Sequence, residues 1–144
     1  MQRLFLDCNI YDALARDGET AALVRTALDG GLVKVIVNSV VKNELAASPF
    51  NGVPEIFAVE LVSDHVAIPG LACPDLCRPG EGIIFREHIG NSHHGADAVN
   101  ADTAHCEADV FVSDDRRART RAQAHSGTLT CLTYDEFRRW IREI

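Results

Sequence analysis

Three short apolar runs, Leu4-Phe5-Leu6, Val35-Ile36-Val37 and Val110-Phe111-Val112, show no alternation, and each stops at a polar residue. A strand with one wet face alternates apolar and polar positions. Unbroken runs this short belong to strands buried on both faces, as in a parallel sheet covered by helices. The stretches between them have helical spacing. Ile10, Tyr11 and Leu14 suit a helix capped by Asn9 and broken at Asp17-Gly18. Ala22, Leu23, Val24, Ala27 and Leu28 suit a second, starting near Glu19 and closed by Gly30-Gly31. A third runs from a Ser39 cap through Ala47 and ends at Ser48-Pro49.

Beyond that point the pattern is less uniform. Pro54 opens either a helix or a segment leading to a strand near Val66. Residues 69–82 hold three prolines, three glycines and two cysteines and read as a loop. A short helix is expected over Ile83 to Ile89 and an alanine-rich one over Ala96 to Glu107. A basic helix follows over Arg116 to Ala124. The last strand is expected over Thr128 to Leu132. A closing amphipathic helix, capped by Thr133 or Asp135, uses Phe137, Trp140 and Ile141. Strands alternating with helices give an α/β class, a three-layer α/β/α arrangement around a mostly parallel sheet. Residues 1–144 read as one domain, since single domains most often hold about 100–150 residues.

The net charge of −7 excludes a chain that coats nucleic acid through overall charge. The charge is uneven, however. Residues 1–115 hold 7 basic against 18 acidic residues, and residues 116–144 hold 7 arginines against 3 acids. An acidic body beside a basic segment suits a cation in one part and a polyanion at the other. No apolar run approaches the roughly 18 residues of a membrane span, so no membrane partner is expected. Five cysteines without a secretory leader suggest free thiols and a cytoplasmic location.

Sites on open parallel sheets form at the carboxyl ends of the strands. Asp7 and the Asp114-Asp115 pair follow two such ends. Glu44 and Asp97 lie on helices that can project to the same end. Carboxylates packed together raise one another's pKa, and divalent cations that prefer oxygen ligands remove that penalty. Other sites fit less well. Cys73 and Cys77, with His88, His93 and His94 downstream, do not repeat a zinc-finger spacing. Asp7-Cys8-Asn9 replaces the glycine-rich turn of a dinucleotide fold, and no Gly-x-Ser-x-Gly elbow exists. Lys34 and Lys42 are the only lysines, and neither follows a late strand as a phosphoacceptor receiver domain requires.

Four segments together resemble the motifs of the PIN-domain nucleases, especially the VapC-like toxin ribonucleases. They are Phe5-Leu6-Asp7-Cys8-Asn9-Ile10, Val37-Asn38-Ser39 with Glu44-Leu45, Gly95 to Ala101, and Glu107 to Asp115. The resemblance spans nearly the whole chain, with Cys8 standing where Thr or Ser is usual. It implies a five-stranded parallel sheet in 3-2-1-4-5 order and Mg²⁺- or Mn²⁺-dependent endonuclease chemistry, most often on RNA. Asp7 and Asp97 would be the principal metal ligands, completed by Glu44 and Asp115. Asn9 and Ser113 would position ligands or water, with Asp114 the other candidate for the fourth acid. Asp102, about 140° around the helix from Asp97, would be exposed or an auxiliary ligand. Arg116, Arg117 and Arg119 would hold substrate phosphate. The resemblance further implies a homodimer and a cognate antitoxin protein. The alternative is a catalytically inactive scaffold of the same shape that binds RNA or a protein partner.

Overall fold

A computed structural model describes residues 1–48, 58–62 and 95–144. Five parallel strands form one sheet: β1 (Gln2–Leu6), β2 (Val33–Val37), β3 (Val59–Leu61), β4 (Val110–Val112) and β5 (Thr130–Leu132). Their order is β3-β2-β1-β4-β5, as expected. Six helices are described: α1 (Cys8–Arg16), α2 (Gly18–Asp29), α3 (Ser39–Ala47), α4 (Gly95–Glu107), α5 (Arg116–Ala124) and α6 (Tyr134–Glu143). The result is a three-layer α/β/α fold.

The apolar runs are central strands, as their lack of alternation requires. Leu4, Phe5, Leu6, Val35, Ile36, Phe111 and Val112 are fully buried. Phe5 and Phe111 are register partners, and their rings stack with centroids 5.7 Å apart. The described helices pack in one continuous series: α6 on α2, α2 on α1, α1 on α3, α3 on α4 and α4 on α5. Gly31 holds φ +67° between α2 and β2, a left-handed conformation that side chains with a Cβ adopt only at a cost.

The strands turn into helices with almost no intervening loop, and this builds the functional end of the sheet. Asp7 directly follows β1 and caps α1, and Asn38 directly follows β2 and caps α3. Thr133 directly follows β5 and caps α6 in a full capping box with Glu136. At β4 the connection is three residues, with Asp115 capping α5. Two sequence expectations change accordingly. The caps are Asp7 and Asn38 rather than Asn9 and Ser39. The last extended residue supplies the side-chain acceptor, so the helix begins one or two positions earlier.

The last strand is shorter than expected, beginning at Thr130 rather than Thr128. Ser126 Oγ accepts the N–H groups of Thr128 and Leu129, which holds that stretch in a turn. The third strand lies at Val59–Leu61, paired with β2, ahead of the Val66 position. Val66 itself, the loop 69–82 with Cys73 and Cys77, the helix expected over Ile83 to Ile89, and His88, His93 and His94 lie outside the described residues.

Candidate functional site

The register places Asp7 and Ser113 side by side. Leu6 pairs with Val112, so the next residue of each strand sits at the same level on the sheet's carboxyl edge. Ser113 is fully buried, and its Oγ lies 2.7 Å from Asp7 Oδ2 and 3.1 Å from the Asp115 amide. The Asp115 N–H must donate to that oxygen. The single Ser113 hydroxyl proton is therefore directed at Asp7. The other Asp7 oxygen accepts the Cys8 N–H at 2.8 Å. Each Asp7 oxygen thus takes one described donor and keeps lone-pair capacity for a further partner.

Two helices bring in the remaining acids. Asn38 Oδ1 accepts the Val41 N–H at 2.9 Å and caps α3. Its amide donates to Asn100 Oδ1 and to Thr103 Oγ1, both at 2.9 Å. Thr103 Oγ1 in turn donates to the Val99 carbonyl at 3.0 Å. This buried network pins α3 to α4 and fixes the helix that carries Glu44 against the one that carries Asp97. The sequence reading missed Asn38, Asn100 and Thr103. Asn100 and Thr103, three positions apart and so on one face of an otherwise alanine-rich helix, were a signal available in the sequence; Asn38, outside that helix, carried no such signal.

Asp7 and Glu44 both lie in the field of neighbouring acids. Burial pushes the Asp7 carboxyl up, Ser113 and the Cys8 amide oppose the rise, and Asp97 and Asp115 add to it. Burial also pushes Glu44 up, reinforced by Asp7 and Asp97, while the Cys8 thiol opposes. Cys8 stands among them and is pushed up to about 11, first by burial and then by Glu44, Asp7 and Asp12.

The other expected site residues separate. Asp114 is exposed and accepts the Tyr134 N–H at 2.9 Å, so it ties the β4 end to α6. Asp115 is the acid that acts on Asp7. Asn9 is exposed in the first turn of α1. Asp102 is fully buried, which corrects the expectation of exposure. Its helix is covered almost all round, from Ala98 through Ala104, so turning away from Asp97 leads into the protein rather than into water. Arg116 and Arg117 are exposed beside Asp115. Arg119 is half-buried and donates from Nη1 to the Ser113 carbonyl at 2.5 Å. An open cleft lined by Val33, Lys34, Val59 and Glu60 lies at the amino half of β2, away from these acids.

Among the described residues, no three His, Cys, Asp or Glu side chains stand in an arrangement that holds a metal ion. The donor set still suits a hard cation. It consists of carboxylates, of which Asp7 and Glu44 are pushed up by burial and by neighbouring acids, and magnesium and manganese favour oxygen ligands. Cys8 and Cys131 are free thiols. No helix among the described residues is long and apolar enough to cross a membrane. No model of a protein family, no curated protein and no solved structure matches the chain.

Proposed function

We propose that this chain is a metal-dependent endoribonuclease, the toxin of a toxin–antitoxin pair. The observation that carries the reading is that Asp7 and Glu44, at the carboxyl edge of a parallel sheet, are pushed up by burial first and then by nearby acids, Asp97 and Asp115 on Asp7, Asp7 and Asp97 on Glu44. Carboxylates pushed up by burial and by neighbouring acids at such an edge mark a candidate for chemistry. Asp7 and Asp97 would hold Mg²⁺ or Mn²⁺, with Glu44 and Asp115 completing the set directly or through water.

When bound, the cation supplies a water nucleophile at neutral pH and offsets charge on the phosphodiester under attack. The chain's own residues set the geometry. Ser113 holds Asp7 in one orientation through its directed proton. The Asn38 network holds Glu44 opposite Asp97. Arg116 and Arg117, exposed at the start of α5, carry the positive charge that a backbone phosphate needs on arrival. Asn9 orients ligand or water from the first turn of α1. By resemblance the protein works as a homodimer, and a cognate antitoxin silences it by laying a segment across the acidic edge.

Thermal unfolding against Mn²⁺ and Mg²⁺, for wild type and Asp97→Asn, tests the site before any substrate is chosen. The metal is expected to raise the wild-type melting temperature and to lose that effect in Asp97→Asn. Cleavage of tRNA and rRNA should then disappear in Asp7→Asn while RNA binding persists. If neither metal acts on wild type, the nuclease reading fails. The inactive RNA- or protein-binding scaffold then takes its place.

A further inference from the structure

Arg119 lies on the same basic helix as Arg116 and Arg117, yet its guanidinium is turned inward. Nη1 donates to the Ser113 carbonyl at 2.5 Å. The same charge reaches Cys131 on β5 and Glu136 in the first turn of α6. Ser113 is fully buried, and β4 ends one residue before it. A buried carbonyl just past the end of a strand is costly without a donor, and a cation is the strongest donor available to it.

What Ser113 does next gives the contact its consequence. Its Oγ joins Asp7 to the Asp115 amide, and so joins the cap of α1 to the cap of α5. Fixing the carbonyl holds the Ser113 backbone in place, and with it the point from which Oγ reaches both Asp7 and the Asp115 amide. We infer that Arg119 is a positioning residue, acting through Ser113 to set the Asp7–Asp115 spacing, and not chiefly a phosphate contact. This rests on the proposed metal site and adds a residue to its support. Supporting partners of ligating carboxylates typically carry about 10–100-fold in metal affinity.

The experiment is Mn²⁺ titration by calorimetry on wild type, Arg119→Met, Ser113→Ala and the double variant, with melting temperatures in EDTA. Binding of tRNA in EDTA is measured at two salt concentrations. Mn²⁺ affinity in Arg119→Met is expected to fall by about 10-fold. The double variant should be no worse than Ser113→Ala alone, because both changes cut one chain of contacts. Unchanged Mn²⁺ affinity with weaker, less salt-dependent tRNA binding would make Arg119 a phosphate contact and overturn the inference. Additive losses in the double variant would also overturn it. Should Arg119→Met not fold, Arg119→Lys decides by the same readings, since it keeps the charge on a different donor geometry. Wild type that binds no Mn²⁺ removes the metal site itself, and this result is distinct from wild type that binds while Arg119→Met binds equally well.

Discussion

The molecule holds two groups of carboxylates in opposite states. On the flank where α6 meets α2, Asp17 accepts the Thr20 amide at 3.1 Å, the Thr20 hydroxyl at 2.8 Å and the Tyr134 hydroxyl at 3.1 Å. It also pairs with Arg138 at 3.0 Å, while Glu19 pairs with Arg142 at 2.9 Å. These donors hold the Asp17 carboxyl below its usual range, and the Thr133 backbone does the same for Glu136. At the carboxyl edge of β1 and β4, burial and then neighbouring acids push Asp7 and Glu44 up instead. Both groups include helix caps, so capping does not separate them. The separation comes from the neighbours. Donors surround one group, and burial with like charge surrounds the other.

The largest expected effect comes from breaking the frame that forces the acids together. Asn38→Leu keeps much of the volume but removes the α3 cap and strips the donor from Asn100 and Thr103. Cap loss costs about 1 kcal/mol, and the orphaned buried acceptors bring the total to about 3 kcal/mol. For a chain of this size that lowers the melting temperature by about 10 °C. It should also weaken Mn²⁺ binding, because Glu44 and Asp97 lose their common mount. A variant that melts as described yet binds Mn²⁺ normally would show that α3 and α4 are held in register by something else.

The opposite states predict opposite responses to pH. Asp7 and Glu44 have folded values above the ordinary 3.8 and 4.5. Folding therefore favours their protonated forms. Their penalty is absent below the ordinary values and grows as pH rises through the raised ones. Asp17 has a folded value below 3.8. Its contribution is complete above 3.8 and is lost as pH falls through the lowered value. In EDTA, stability should therefore rise as pH falls through the raised values of Asp7 and Glu44 toward the ordinary 4.5 and 3.8, and fall again once pH passes below 3.8. Asp97→Asn should flatten the first limb and stabilise the metal-free protein by about 1 kcal/mol at pH 7. Asp17→Ala should flatten the second limb and cost about 2 kcal/mol at pH 7 through the lost cap and its two α6 partners. Denaturant melts across pH for the three proteins check both limbs. Parallel curves for wild type and Asp97→Asn would mean that Asp97 does not burden its neighbours.

The sequence shows the sheet more plainly than the site. Leu4-Phe5-Leu6 and Val110-Phe111-Val112 have one physical reading, because only burial on both faces tolerates such runs. Asp7, Glu44, Asp97 and Asp115 are legible as a set because the topology sends strand ends and helix starts to one edge. The caps were placed inside their helices because propensity cannot tell the last extended residue from the first helical one when no loop divides them. Asp102 was misread because helical angle fixes direction relative to Asp97, not what lies in that direction. Arg119 could not be separated from Arg116 and Arg117, since its role depends on a backbone carbonyl six residues away.

The smallest expected effect reads the acidic field directly. Cys8 is pushed up to about 11, by burial first and then by Glu44, Asp7 and Asp12. At pH 8 its thiolate fraction is therefore far below that of an ordinary thiol, and only part of the loss is recovered through the greater nucleophilicity of a high-pKa thiolate. Alkylation of Cys8 should be about 10-fold slower than that of an unperturbed thiol such as glutathione. Glu44→Gln removes the largest charge contribution while leaving burial in place, so Cys8 alkylation should speed up by roughly threefold. Asp17→Ala, on the other flank, should leave the rate as it is. Peptide-resolved alkylation kinetics make the comparison within one molecule. Equal acceleration by both variants would mean that the rate reports loosening of the fold, and a null effect of Glu44→Gln would place burial alone behind the Cys8 shift.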